Sequence, residues 1–510
     1  MNGAESLVRT LVNAGVNTCF ANPGTTEIHL VDALDRVREM RCVPCLFEGV
    51  CTGAADGYAR MSGNPAVTLL HLGPGLSNGL ANLHNAKRAG MPVLNIIGDH
   101  ASFHRPYDAP LTSDIEAIAQ PFSAWLRTSK SAAQLGRDGV QAVAAARAGN
   151  IATLIVPADA AWCDGGQPAE MPHLSPAACP DGNVIDRAAD LLRNGKPTVI
   201  LLGGRSAQGD GLLRAGEIAA TSGAKLMVPF AFPRIERGAG RPMVERIAYL
   251  TEQALGQLRG IRQLILVDAA PPVAFFGHPD RPSMLVPEDC TTLSLTRAGE
   301  NAQAALAALA DAVSAGVGFK TEPLMRPDRP RGEITLTGLA QAVGATLPQD
   351  AIVVDESITS GRGMMAATRA APPHDWLVNT GGSIGIGIPL AVGAAIASPG
   401  RAVLCLEGDG CALYTLQGLW TAAREALPVT TVIFANRSYN ILKGELAAAT
   451  PNPGPRALEV LDLGRPDLDF VSLAKGLGIP ALRTTTLEDF ASALRSGFES
   501  RAPSLIEVPL

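Results

Sequence analysis

Short apolar runs rich in Val, Ile and Leu recur along the 510-residue chain, and each stops at a glycine, an acid, an amide or a proline. In the first third they read TCFANPG, AVTLLHLGPG, PVLNIIGD and ATLIVP. In the middle they read TVILLGG, AKLMVP and QLILVDA, and in the last third AIVVDES, AVLCLEGDG, VTTVIFAN and PSLIEVPL. Stretches with a helical pattern separate them. Runs without polar alternation are strands covered on both faces, and strands separated by helices pair in parallel. Two polar, proline-rich seams interrupt the pattern, at residues 164–181 (DGGQPAEMPHLSPAACPD) and 321–332 (TEPLMRPDRPRG). The pattern predicts an α/β chain of three doubly wound parallel-sheet domains, at residues 1–165, 182–322 and 332–510.

The composition narrows the classes of partner. Net charge is −6 and no block of Lys or Arg stands out, which argues against nucleic acid. Residues 376–400 carry no charge, but they hold many glycines, Pro389, Pro399, Asn379 and Thr380. Lipid tolerates such a backbone poorly, so a buried glycine-rich turn and a core helix are expected there rather than a membrane span. The N-terminus, MNGAESLVRTLVNAG, reads as an amphipathic helix and not as a signal peptide. The nine cysteines are scattered, and the one close pair, Cys42 and Cys45 in CVPC, has no second pair to make a zinc site. Ordinary reduced thiols and a cytoplasmic location are the expectation.

In open parallel sheets ligands bind beyond the carboxyl ends of the strands. Asp409, in EGDG, and Asn436 end two successive strands of the last domain, one strand–helix–strand unit apart. A carboxylate and an amide oxygen are hard ligands suited to Mg²⁺ or Ca²⁺. Gly408 and Gly410 would let a phosphate approach the backbone, and the helix starting near Cys411 would present N–H groups to it. Taken alone, the two residues read equally as a helix-capping acid and a turn amide.

GDG followed by Asn436 resembles the diphosphate–Mg²⁺ motif of thiamine-diphosphate (ThDP) enzymes, although Ala435 stands where that family usually has a first asparagine. The resemblance implies that Asp409, Asn436 and the Ser438 carbonyl hold Mg²⁺. It also places Glu48, in LFEGVCTGAADGYAR, at the cofactor's pyrimidine nitrogen, with Phe47 where a histidine is common. In TGGSIGIGIP it puts Ile384 under the bent cofactor and the Gly382 carbonyl at its amino group. Ser357 and Thr359 fall at the diphosphate, with Ile358 replacing a hydroxyl residue, and Tyr439, Asn440 and Ile441 line the pocket. The likeness spans nearly the whole chain and is nearest to benzoylformate decarboxylase and acetolactate synthase large subunits. Through NPGTTE, LHLGPG and AFFGHPD it marks Thr25, His71 and His278 as catalytic.

The implied protein is a ThDP- and Mg²⁺-dependent, non-oxidative decarboxylase or carboligase of a small-molecule 2-oxo acid. Its implied product is an aldehyde, a hydroxyketone or a 2-acetolactate-type product. The three domains would be pyrimidine-binding, middle and diphosphate-binding. LVDAAPPVAFFGHPD lacks the arginine that contacts FAD in acetolactate synthases, so no FAD is expected. A homodimer or homotetramer with active sites at the subunit interface is implied, with no nucleic-acid or membrane partner. The other readings are an FAD-dependent pyruvate-oxidase-type enzyme, a 2-hydroxyacyl-CoA lyase and a non-catalytic regulatory homologue.

Overall fold

The structure is a computed structural model that describes residues 1–172, 177–297 and 299–510. Residues 173–176 of the first seam lie outside the described residues. The predicted runs are strands: β1 (Thr18–Asn22), β2 (Arg41–Pro44), β3 (Ala66–Leu70), β4 (Val93–Asp99), β5 (Trp125–Thr128) and β6 (Ile151–Pro157) form the first sheet. Its order is β2-β1-β3-β4-β6-β5, and every pairing is parallel. From β1 the chain moves outward to β2, then crosses back to β3 on the other side of β1. The carboxyl ends of β1 and β3 therefore bound a topological switch point, where a crevice opens.

The middle sheet comprises β7 (Thr198–Leu202), β8 (Lys225–Val228), β10 (Glu245–Arg246), β11 (Gln263–Val267) and β12 (Thr291–Ser294), in the parallel order β10-β8-β7-β11-β12. Between β8 and β10 lies β9 (Ile235–Arg237). The last third adds β13 (Ile352–Glu356), β14 (His374–Val378), β15 (Val403–Gly408), β16 (Val429–Ala435), β17 (Ala481–Arg483) and β18 (Ser504–Pro509). Here β17-β18-β16-β15-β13 is the parallel order. One pairing departs from the expected parallel pattern: β14 runs antiparallel to β9.

By contact density the chain forms two compact units. One takes the described residues of 1–174 with 327–367 and 379–510, and so contains the first and last sheets. The other takes those of 175–326 with 368–378. Within the first unit two helices cross in backbone contact, Glu48–Ser62 and Gly387–Ala397. A Cβ on Gly57 would lie 2.1 Å from the Leu390 carbonyl oxygen, and one on Gly393 would lie 1.9 Å from that of Ala54. Only glycine permits that approach. The helix Glu48–Ser62 stops where Gly63 turns left-handed, at φ 72°. The uncharged segment 376–400 is β14, a glycine turn and the helix Gly387–Ala397, as the pattern predicted. Among the described residues no helix is long and apolar enough to cross a membrane.

The second unit carries a pH-sensitive element. His374 is buried, donates through Nδ1 to the Pro372 carbonyl (2.7 Å) and lies 3.4 Å through Nε2 from Arg237 Nη1. Burial and the Arg237 charge push its imidazole down to about 3. The unfolded chain therefore takes up a proton that the folded chain refuses, so stability is full above about 6.5 and is lost as pH falls towards 3. The expected contribution to the slope is at most about 1.4 kcal/mol per pH unit. Thermal unfolding between pH 7 and 4 should show a shallower acid dependence for His374→Gln than for the wild type, and an unchanged dependence would remove this role.

Candidate active site

At the switch point of the first sheet a buried carboxylate meets an imidazole. The turn Thr25–Glu27 follows β1 and folds Glu27 inward, where it is fully buried. Its Oε2 accepts from the Gly24 N–H (2.7 Å) and lies 2.7 Å from His71 Nδ1, while Oε1 accepts from Thr26 Oγ1 (2.6 Å). That contact with His71 fixes the ring by Nδ1 and leaves Nε2 on its other side. Glycines make the room: a Cβ on Gly98 would sit 1.8 Å from Glu27 Oε1, and one on Gly24 would sit 2.3 Å from His71 Nδ1.

Glu48 belongs to the same region. It opens the helix Glu48–Ser62, is 9% exposed, and accepts from Asn78 Nδ2 at 3.0 Å. A Cβ on Gly75 would lie 3.1 Å from Glu48 Oε1 and 3.4 Å from His71 Cβ, so both side chains flank one glycine. Thr25 is exposed at the start of its turn, and the hydroxyl that reaches His71 Nδ1 is that of Thr26, at 3.4 Å. His278 lies in the second unit, in the connection from β11 to β12.

In the last sheet Asp409 and Asn436 end the neighbouring strands β15 and β16. Asp409 is 3% exposed; its Oδ1 accepts from the Gly410 N–H (2.8 Å) and its Oδ2 from the Arg437 N–H (2.6 Å). Burial pushes its carboxyl up, against the pull of those two donors. Two bonds leave lone pairs on a carboxylate, so its capacity for a cation remains. Asn436 Oδ1 accepts from the Ser438 N–H (3.0 Å), which closes a tight turn through Arg437 at φ 54°. The ring of Tyr439 covers the GDG turn, where a Cβ on Gly410 would come within 2.5 Å of it. Asn440 Nδ2 lies 3.4 Å from Thr359 Oγ1. Thr359, Ser360, Asn436 and Asn440 line a cavity of about 440 Å³. Ser357 is buried and donates to Asp355. This set of hard oxygens beside glycine backbone fits Mg²⁺ with a diphosphate.

Two acids that the motif reading did not single out lie directly behind. Glu356 and Glu407 are register partners on β13 and β15, 2% and 1% exposed. Glu356 accepts from Asn379 Nδ2 (2.8 Å) and from the N–H groups of Gly385 (3.1 Å) and Gly387 (2.8 Å), which folds the glycine turn around it. Burial nevertheless pushes its carboxyl up to about 7. Burial, and then the charge of Glu356, push Glu407 well above the usual carboxylate range. The neutral acid of the pair is therefore Glu407. Their sequence signal was an apolar strand ending on an acid.

The helix Leu72–Ala89 grips the glycine turn from the other side. Asn85 donates to the Ser383 carbonyl (2.8 Å) and accepts from the Ser383 N–H (3.3 Å), and His84 Nε2 lies 3.0 Å from the Gly381 carbonyl oxygen. Asn82 donates to the Gly49 carbonyl at 2.8 Å. Arg60, fully buried against Asp56, donates to Thr380 Oγ1 at 3.1 Å. Gly382 and Ile384 thus sit on a turn held from both sides. Asn85→Ala removes two bonds to half-buried backbone, each loss costing up to about 1–3 kcal/mol. It should speed amide hydrogen exchange at residues 380–385, and protection equal to the wild type would show that the turn holds itself.

Comparisons with known proteins identify the family. Residues 1–118 match the thiamine pyrophosphate enzyme, N-terminal TPP binding domain, and residues 359–508 match the corresponding C-terminal TPP binding domain. The chain is 52% identical to the Mycobacterium tuberculosis protein IlvX, provisionally named an acetolactate synthase large subunit, over 100% of this chain and 99% of that one. It is 29% identical to the benzoylformate decarboxylase of Pseudomonas aeruginosa, over 97% and 96%. Among solved structures, the ThDP-dependent 4-hydroxybenzoylformate decarboxylase of Rhodococcus jostii RHA1 shares the fold, with TM-score 0.87 at 24% identity, covering 100% of this chain and 99% of that one.

Proposed function

The chain belongs to the thiamine pyrophosphate enzyme family, and from that premise we propose that it is a ThDP- and Mg²⁺-dependent, non-oxidative decarboxylase of 2-oxo acids. It is an enzyme of the acetolactate synthase or benzoylformate decarboxylase type; the choice within that type is our reading. One observation carries it. His71 is fixed by Glu27 and flanks the same glycine as Glu48, so a group able to move a proton stands beside the acid assigned to the cofactor.

When bound, ThDP supplies the carbon nucleophile and the electron sink for loss of CO₂. The chain's own residues bind, orient and move protons. Asp409, Asn436 and the Ser438 carbonyl would hold Mg²⁺. Gly408, Gly410, Cys411 and Thr359 would border the diphosphate, and Gly382 and Ile384 the rings. Glu48 would hold a proton at the pyrimidine nitrogen, its orientation set by Asn78. Nε2 of His71 would exchange a proton with the reacting substrate, with Thr25 and Thr26 at the rim. Tyr439, Asn440 and Ile441 would limit substrate size, and His278 is assigned to the substrate by the resemblance alone.

A second copy of the chain would complete each site. Exposed apolar side chains around the diphosphate end support this: Ile358 (40%), Tyr414 (52%) and Leu442 (47%). The absence of arginine at the end of β11 supports a middle domain without FAD. Carboligation is the second reading, favoured by the name of the M. tuberculosis relative.

Purified protein with ThDP and Mg²⁺ should release CO₂ from benzoylformate or pyruvate. An aldehyde as main product supports the decarboxylase, acetolactate supports the synthase, and no CO₂ from a panel of 2-oxo acids would overturn both. Glu48→Gln should keep cofactor and lose about 10²–10⁴-fold in turnover; wild-type turnover would sink its role. Asp409→Ala should weaken ThDP binding measured with Mg²⁺ by calorimetry, and unchanged affinity would remove the metal assignment.

A further inference from the structure

Four thiols on or beside the first sheet are left without a role by the reading above. Cys19 on β1 and Cys42 on β2 are register partners across two parallel strands. Such partners project to the same face, with backbones about 4.8 Å apart, inside the roughly 4.4–6.8 Å Cα separation that disulfides span. Cys45 follows just beyond the end of β2, and Cys51 lies in the helix Glu48–Ser62. Cys19, Cys45 and Cys51 are buried, whereas Cys42, on the edge strand, is exposed.

The chemistry of the two members differs. Its neighbour Cys19, and after it Arg424, draw the Cys42 thiol below its ordinary range, while burial and Glu425 oppose. The neighbouring Cys42, and then burial, hold the Cys19 thiol up. An accessible thiol backed by a buried register partner is the arrangement of an attacking and a resolving cysteine.

We propose that Cys42 and Cys19 form a peroxide-responsive pair, with Cys42 the surface nucleophile and Cys19 the resolving thiol behind it. The sulfur of Cys42 attacks one peroxide oxygen, the O–O bond breaks, and Cys42 becomes a sulfenic acid as water leaves. The sulfur of Cys19 then attacks that of Cys42, the S–O bond breaks, and the hydroxyl departs with the Cys19 proton as a second water. Two thiols and one hydrogen peroxide give one disulfide and two waters, the thiols losing the two electrons that reduce the peroxide. In-register parallel strands hold their Cβ atoms farther apart than the roughly 3.8 Å mean of disulfides, so the bond is strained and readily reduced by thiols.

The site lies where the first sheet meets a helix of the last. Arg41 pairs with Glu425 at 2.6 Å, and the Pro44 carbonyl accepts from Thr421 Oγ1 at 3.2 Å. Closing the bond would draw β2 against both ties.

The test uses the full chain loaded with ThDP and Mg²⁺. It is titrated with hydrogen peroxide, free thiols are blocked with N-ethylmaleimide, and the unreduced tryptic digest is sequenced by mass spectrometry. The expected product is peptide 10–36 joined to peptide 42–60 through Cys19 and Cys42, reversed by dithiothreitol. It should form before the other exposed cysteines, Cys163 and Cys179, are oxidised. Cys42→Ser, at an exposed position, should fold and lose the cross-link entirely. Cys19→Ala should leave Cys42 as a sulfenic acid trapped by dimedone. Three results would overturn the proposal in the wild type: a dimedone adduct on Cys42 without the cross-link, a bridge from Cys42 to Cys45 or Cys51 instead, or earlier oxidation of Cys163 or Cys179.

Discussion

Two helices touch backbone to backbone, and that contact fixes where the polar groups of the first unit can stand. The helix Glu48–Ser62 begins at the buried acid Glu48, and the helix Gly387–Ala397 begins where the glycine turn ends. Gly53 on one packs against Pro389 on the other, Gly57 against the Leu390 carbonyl, and Gly393 against that of Ala54. At such distances neither helix can slide by a residue without a clash, because interiors are close-packed and deform in discrete steps. The spacing between Glu48 and the turn bearing Gly382 and Ile384 is therefore a property of the chain itself.

A second constraint follows from the first. Bringing backbones so close buries polar groups, and each must find a partner or cost about 1–3 kcal/mol. The partners are found on one helix, Leu72–Ala89, whose Asn78, Asn82 and Asn85 lie at helical spacings of four and three. Asn78 reaches Glu48, Asn82 the Gly49 carbonyl, and Asn85 the Ser383 backbone. Glu356 and Asn379 do the same work from beneath, Asn379 accepting from Gly382 N–H at 2.8 Å. A turn rich in glycine would otherwise be loose. Here its rigidity comes from side chains that are distant in sequence.

This explains what could be read from the amino acids. Uninterrupted apolar runs announced the strands, and their alternation with helices announced parallel sheets. The antiparallel pair of β9 and β14 was not legible, because three residues make no pattern. In the site, Glu48 and the GDG–Asn pair were legible because strand-end acids and glycines have local signatures. Glu27 lies within NPGTTE, but nothing local says which side chain of a three-residue turn points inward. The register of Glu356 with Glu407, and of Cys19 with Cys42, depends on strand order, and no short motif encodes strand order.

The asparagine ladder would also bear on how two sites work together if a second copy of the chain completes each. Glu48 and Glu27 are buried, whereas Tyr414 and Leu442 stand half in solvent. If each site draws its acid from one subunit and its glycine turn from the other, the helix Leu72–Ala89 holds Glu48 of one site and the turn of the next. A displacement of Ser383 as one site fills would then act through Asn85 and Asn78 on the acid of the other. The coupling would run along one rigid helix and a short series of hydrogen bonds. Such a path couples two sites only where both bias the same element, and here that element is the helix.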